Sequence, residues 1–448
     1  MSRIISVLII SIILFGCEIE KPKLSLDVEQ KNTRAKNIII MIADGCGYNH
    51  IEATNYYVNG ELNSQIYESF PVHFPVSTSP AISGKFTSKK GLSWQNGYNS
   101  GLTYSDSLWR TISPTGSGAA ATAIASGRKT YNSSIGMDIY FKPLKSIAEK
   151  AKELGKSAGL VTSVPFAHAT PASFASHNVN RKNYEEIAKE MIHSSIDIIF
   201  GCGNPYFDDD GKKLAEPNYK YVGGLKFWEK YKSQGSHKRK LITTKSDFEK
   251  LFLNPTEHKL LGLPMVHSTL QAGRSGEKNA IPFKTAFNEN VPSLELMTKA
   301  ALNSLNQNSK GFFLMVEGGA VDWAAHSNYS GRMIEELSSF NKTVESVVKW
   351  IERNSNWNET LLIVTSDHET GYLTGINGFN SKITSNGKGN IPNMVWNSDN
   401  HTNVLIPLYA KGIGSELFDD YADELDSLRG YFIQNSEIGQ IMFRTITR

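Results

Sequence analysis

Asn37 to Ala43 reads Asn-Ile-Ile-Ile-Met-Ile-Ala, an apolar run without alternation. A strand with one face in water alternates apolar and polar residues, whereas a strand buried on both faces does not. Runs of the same kind lie at Ser157–Thr162, Ile196–Phe200, Phe312–Val316, Leu361–Thr365 and Val404–Tyr409. Patterns of helical period separate them. Leu144–Leu154 is one, and Ile334, Leu337, Phe340, Val344, Val347, Val348 and Ile351 form another at spacings of three and four. Alternating helices and uniformly apolar strands predict a largely parallel sheet covered on both faces. Ligands of such sheets bind where the strands end.

Residues with chemistry cluster at those ends. Asp44-Gly45-Cys46-Gly47, Thr115-Gly116-Ser117-Gly118, His168-Ala169-Thr170, Glu317 through Asp322 to His326, and Asp367-His368 are the five stretches, and His401 stands behind them. All but one follow an apolar run. Asp322 and His326, four apart, share one face of a helix and can hold one metal ion. Glu317 precedes Gly318-Gly319, where backbone can approach a ligand. Ser117 opens a stretch of small residues, Gly-Ala-Ala-Ala-Thr-Ala, that reads as a helix start and so as a phosphate seat. Alone, Ser117 reads more simply as a helix cap. Cys46 reads as a small buried filler, because the surrounding ligands are oxygen and imidazole. One hydroxyl, several metal-ligand side chains and an Arg at one sheet edge describe multi-metal phosphoryl transfer.

The rest of the chain sets the context. Net charge is +3, from 47 basic and 44 acidic residues, which gives no ground for nucleic-acid binding. Ile4 to Phe15 is nearly all aliphatic, too short to span a bilayer, and follows Arg3. It matches the apolar core of a signal peptide. Leu14-Phe15-Gly16-Cys17 resembles a bacterial lipobox, which implies cleavage before Cys17 and its lipidation. Residues 1–16 are therefore expected to be a signal peptide and 17–35 a lipidated tether. An exported periplasmic or surface lipoprotein anchored in the outer membrane is the expectation. Residues from about 204 to 290 are rich in Lys, Tyr, Gly and Ser, weak in strands, and read as an insertion. Within it, Asp208-Asp209-Asp210-Gly211 reads as a turn rather than a calcium loop.

In their order, the motifs of residues 36–448 resemble the alkaline phosphatase family. Asp44-Gly45-Cys46-Gly47 is similar to its first strand-end motif and Ser117 with its small-residue tail to its nucleophile motif. Ala167-His168-Ala169-Thr170-Pro171-Ala172 through Arg181, Val316-Glu317-Gly318-Gly319 through His326, Thr365-Ser366-Asp367-His368 and His401-Thr402 complete the series. The resemblance implies a three-layer α/β/α sandwich around a large, mostly parallel sheet. His401 precedes its strand, so it reaches the common edge only if that strand runs antiparallel. The resemblance assigns a first zinc ion to Asp322, His326 and His401, and a second to Asp44, Asp367 and His368. Thr170, Glu317 and bridging Asp44 are assigned a third ion, normally magnesium. Ser117 becomes the nucleophile and Arg181 the clamp on the phosphoryl oxygens, in hydrolysis of small phosphate monoesters through a phosphoserine. Homodimers are common in the family, and contact with a membrane is expected only through the lipid.

Three positions depart from the family pattern. Gly116 stands where many members carry an Asp that would orient Arg181. His168 replaces an Asp near the third metal, so zinc or cobalt can compete with magnesium there. Trp323 replaces a Lys and reads equally well as a packing residue at the pocket rim. None removes a ligand or the nucleophile. A sulfatase needs a different sequence after the nucleophile, and a diesterase usually lacks the third metal site that Thr170 and Glu317 supply. A non-catalytic ligand- or metal-binding lipoprotein is the reading from another class.

Overall fold

The computed structural model describes residues 34–81, 97–233, 239–378 and 380–446. Cys17 and the signal-peptide and tether readings lie outside the described residues. In chain order the strands are β1 Asn37–Ile42, β2 Val72–Ser77, β3 Ser157–Pro165, β4 Ile198–Cys202, β5 Lys240–Ile242, β6 Leu260–Gly262, β7 Phe312–Glu317 and β8 Thr360–Thr365. Four two-residue strands, β9 Glu369–Thr370, β10 Leu373–Thr374, β11 Val395–Trp396 and β12 His401–Thr402, precede β13 Ile406–Gly412, β14 Glu424–Asp426 and β15 Gly430–Gln434.

Eleven strands form one sheet in the order β14-β15-β2-β13-β8-β1-β7-β3-β4-β6-β5. At its centre β1 pairs in parallel with β7 and β8, and every residue of the three is buried. Successive side chains of β1 alternate between two cores. Ile38, Ile40 and Ile42 join one, Ile39 and Met41 the other. That is why these strands carry no polar alternation: each face packs against helices.

β13 runs antiparallel to β8, with Leu408 opposite Thr365, as the position of His401 required. β13 therefore begins where β8 ends. The three-residue β14 also runs against its neighbour, at the sheet edge. β2 gave no sequence signal because Val-His-Phe-Pro-Val-Ser is broken by His73 as well as by a proline. Pro75 lies opposite Pro407, so both missing N–H donors fall on the same rung. Between residues 204 and 290 the chain contributes β5 and β6, which extend the sheet beyond β4. Three residues are too few to show a period. The Asp208–Gly211 stretch is a turn: Asp208 Oδ1 accepts from the Asp210 and Lys212 amides, and Gly211 takes φ +72.

The helix Ser117–Ser126 is small-residue almost throughout. It lies against the helix Asn435–Ile446, where a Cβ on Gly439 would come within 2.6 Å of the Ile124 carbonyl oxygen. On its other side, a Cβ on Gly118 would stand 2.7 Å from the Ser134 carbonyl oxygen. Close packing of backbone on backbone is thus what the alanines and glycines provide.

Candidate active site and metal centre

The parallel strands β1, β3, β7 and β8 deliver their C-terminal residues to one edge. Asp44 follows β1, Glu317 ends β7, and Asp367 and His368 follow β8. The helix Ala320–His326 starts just after β7 and carries Asp322 and His326, one turn apart. The β9–β12 ribbon, with His401 opposite Thr370, folds His401 over the same edge.

Three donor atoms meet at Asp322 Oδ1, His326 Nε2 and His401 Nε2, with separations of 3.5, 3.6 and 3.0 Å. Ligand atoms around a tetrahedral zinc ion lie roughly 3.3 Å apart when the bonds are about 2.0 Å. His326 Nδ1 lies 2.6 Å from the Asp399 carbonyl oxygen and His401 Nδ1 lies 2.7 Å from that of Thr115. A carbonyl oxygen only accepts, so both Nδ1 atoms carry the hydrogen. In the neutral rings both Nε2 atoms then carry lone pairs, and these face each other at 3.0 Å. Such a pair repels unless a cation lies between. Burial lowers the pKa of His401, which disfavours relief by protonation of that ring.

A second set adjoins the first through the stacked rings of His368 and His401, whose centroids are 3.6 Å apart. His368 Nε2 lies 3.5 Å from Asp44 Oδ1 and 3.3 Å from Asp367 Oδ2. All three residues are fully buried. Asp44, Asp367 and His368 lie within 4.8 Å of one another, as do Asp322, His368 and His401.

Thr170 and Asp44 adjoin the Glu317 carboxylate. Among the described residues no hydrogen bond satisfies Asp44 Oδ1 or Oδ2, Asp367 Oδ2, Glu317 Oε1 or Thr170 Oγ1, although all are buried. Burial first, then Asp367, Asp322 and Glu317, push the Asp44 carboxyl well above its ordinary range. Burial likewise pushes Glu317 up to about 7 and Asp367 up to about 6. Orphaned oxygens and crowded carboxylates are costly by themselves and are the donor set that divalent cations relieve. The residues present therefore fit two borderline sites of mixed nitrogen and oxygen donors and one all-oxygen site.

Ser117 does not cap its helix. Gly116 occupies that position, its amide donating to Asn132 Oδ1 at 2.9 Å. The Ser117 hydroxyl, 1% exposed, instead lies 3.2 Å from His368 Nε2 and 3.4 Å from Arg181 Nη1. Arg181 Nη2 donates to His168 Nε2 at 3.4 Å. Among the described residues no carboxylate forms an ion pair with Arg181. Its guanidinium meets imidazole and hydroxyl partners. A Cβ on Gly116 would lie 3.7 Å from Arg181 Nη1. Burial, then Arg181 and Lys220, hold His168 well below its ordinary pKa, so it accepts as a neutral ring. The half-buried Trp323 sets its edge against His168, with centroids 5.5 Å apart. Cys46 is buried and belongs to neither ligand set, as its filler role predicts.

Two threonines were invisible in the sequence. Thr370 Oγ1 donates to Asp322 Oδ1 at 2.6 Å, and Thr162 Oγ1 donates to Glu317 Oε2. Neither carries a motif. The clue available was position alone: Thr162 lies in the C-terminal half of β3, and Thr370 two residues after His368.

A family model described as alkaline phosphatase matches residues 35–440. Alkaline phosphatase 4 of Bacillus subtilis is 31% identical over 370 residues, covering 81% of this chain and 68% of the relative. Alkaline phosphatase 3 of the same organism is 30% identical over 370 residues, with 80% and 66% covered. The chain thus spans about two thirds of the length of these relatives. The solved alkaline phosphatase of the Antarctic bacterium TAB5 superposes with a TM-score of 0.62 at 25% identity, over 92% of this chain and 98% of that one. A cold-active alkaline phosphatase from a Shewanella species shares the fold with a TM-score of 0.66 at 24% identity, over 92% and 100%.

Proposed function

The chain belongs to the alkaline phosphatase family of phosphomonoester hydrolases, and from that premise we propose that it cleaves phosphate monoesters through a phosphoserine on Ser117. The observation that carries this reading is the placement of the Ser117 hydroxyl, 3.2 Å from His368 Nε2 and 3.4 Å from Arg181 Nη1, where the two ligand sets meet. Asp322, His326 and His401 would hold one zinc ion and Asp44, Asp367 and His368 the other. Thr170, Glu317 and Asp44 would hold magnesium, and zinc or cobalt can compete there. Bound ions would lower the pKa of the serine hydroxyl and neutralise charge on the leaving oxygen.

The chain's own residues supply the rest. Ser117 Oγ forms the new bond to phosphorus in line with the departing alcohol. Arg181 donates its two terminal nitrogens to two phosphoryl oxygens and holds the group for attack. His168 accepts from Arg181 and limits its swing. Thr115 and Asp399 fix the tautomers of His401 and His326 through their carbonyls, so that Nε2 faces the site. Water on the side vacated by the alcohol cleaves the phosphoserine and releases phosphate. Burial of the serine excludes other acceptors.

Hydrolysis of an aryl phosphate at alkaline pH tests the reading. Activity should disappear on chelation and return with zinc and magnesium. A folded, metal-loaded protein without turnover would overturn it. Export as a lipoprotein joined through Cys17 belongs to the same proposal, supported by the sequence of residues 1–17. Labelling with a radioactive fatty acid should be lost in Cys17→Ala, and label that persists would count against the anchor.

A further inference from the structure

Beyond β4 the chain makes a short turn, Lys220–Val222, that places an ammonium group on a row of rings leading to His168 and the phosphate clamp. Lys220 Nζ lies 4.3 Å from the ring centre of Tyr184 and 4.8 Å from that of Tyr221. The two tyrosines meet edge to face, with centroids 5.2 Å apart. Tyr184 in turn stacks on His168 at 6.2 Å with an interplanar angle of 12°. His168 completes the line to Arg181 and Ser117. One wall of the site therefore reads Trp323, His168, Tyr184, Lys220 from the metal-ligand helix outward.

Lys220 forms no ion pair with a carboxylate among the described residues. Other lysines of the chain do: Lys152 meets Asp197 at 2.6 Å and Lys212 meets Asp210 at 3.3 Å. An exposed lysine usually gains nothing from being held in one place. Here two aromatic faces hold the ammonium through cation–π attraction, which needs no anion and leaves the charge unneutralised. Arg181, His168 and Tyr184 stand between Lys220 and the nucleophile, so the reacting phosphoryl group at Ser117 is not its partner. A second anionic group on the same substrate, carried by the part that leaves, is a partner of matching charge.

We propose that Lys220 is a specificity residue, binding a second phosphate on the leaving moiety, so that small bisphosphorylated metabolites such as sugar bisphosphates are favoured over their monophosphates. This rests on the phosphomonoesterase reading above. A preformed ammonium costs little ordering on binding, so its effect falls on affinity for the doubly charged substrate.

The test compares kcat/KM for fructose 1,6-bisphosphate with that for an aryl phosphate, in the full metal-loaded chain and in Lys220→Met and Lys220→Arg. The ratio of bisphosphate to aryl phosphate should fall about five-fold in Lys220→Met, chiefly through KM. Lys220→Arg should keep most of it, and added salt should erode it in the native chain. A lysine that only packs its stem on the tyrosines would lower both substrates together and leave the ratio unmoved. An equal ratio in the native chain and Lys220→Met overturns this inference alone. No turnover of the aryl phosphate by the native chain overturns the phosphatase reading and this inference with it.

Discussion

Asn132 accepts from the Gly116 amide, and a Cβ at position 116 would meet only Arg181 Nη1 and Asn132 Oδ1 at ordinary contact distance. An Asp at position 116 would lie against Arg181 Nη1. Gly116→Asp is expected to tighten inhibition by inorganic phosphate about five-fold and to slow product release. An unchanged inhibition constant would remove this role for Gly116. Thr162 donates to the Glu317 carboxylate from beneath the third ligand set. Thr162→Val should weaken magnesium retention by roughly 10- to 100-fold, as loss of an outer hydrogen bond does in metal sites. Magnesium titration of activity and bound-metal analysis would check it. At this scale the candidate ligands were legible because Asp, His and Glu at strand ends carry chemical identity. Thr162, Thr370 and the carbonyls of Thr115 and Asp399 were not. A hydroxyl or a carbonyl becomes part of a site only through its neighbours, and those are distant in sequence.

The helix Ser117–Ser126 is set by contact of backbone with backbone, at Gly118 against Ser134 and at Gly439 against the helix end. Gly118→Ala would force these segments apart. Overpacking of this kind typically costs 1–3 kcal/mol. The expected result is a lower melting temperature together with reduced kcat, because Ser117 shifts relative to Arg181 and His368. A variant that melts lower but turns over normally would mean that the strain is taken up without displacing Ser117. Elements longer than about five apolar residues were readable from the chain. β1, β3, β7 and β8 lie where their apolar runs fall, and the helix Ser330–Asn354 contains its whole three-four pattern. β2, with an internal proline, and β5 and β6, with three residues each, were not, since propensity over so short a span is overridden by pairing with a neighbour.

Across the whole molecule, the buried carboxylates of the site oppose folding until cations neutralise them. Chelation should therefore lower the melting temperature by about 5 °C or more, with recovery on return of zinc and magnesium. An apoprotein that melts with the holoprotein would show that the ligand sets are not relieved by metal. A second pH effect is independent of the site. Lys129 donates to the Ser79 carbonyl oxygen at 2.7 Å, and burial pushes its pKa down to about 8, against an upward pull from Glu424 and Glu437. Below pH 8 the folded chain carries this buried charge at a cost. As pH rises from about 8 towards the ordinary lysine value of about 10.4, the folded form alone has lost the proton, and stability rises. Lys129→Met should abolish that rise in denaturant midpoints measured at fixed metal concentration.

The linear chain by itself determined the layer architecture, because uninterrupted apolar runs leave a strand no solution but burial on both faces. It also supplied the roster of candidate ligands, because ligand chemistry is a property of the residue. Which donors meet was decided only in three dimensions. Asp44 and His368 lie more than three hundred positions apart and become neighbours because β1 and β8 pair in parallel register. His401 joins them because β13 runs the other way. Lys220 gains a place beside the site only through Tyr184 and Tyr221. Pairing, register and stacking are contacts between distant segments, and no local pattern of residues encodes them.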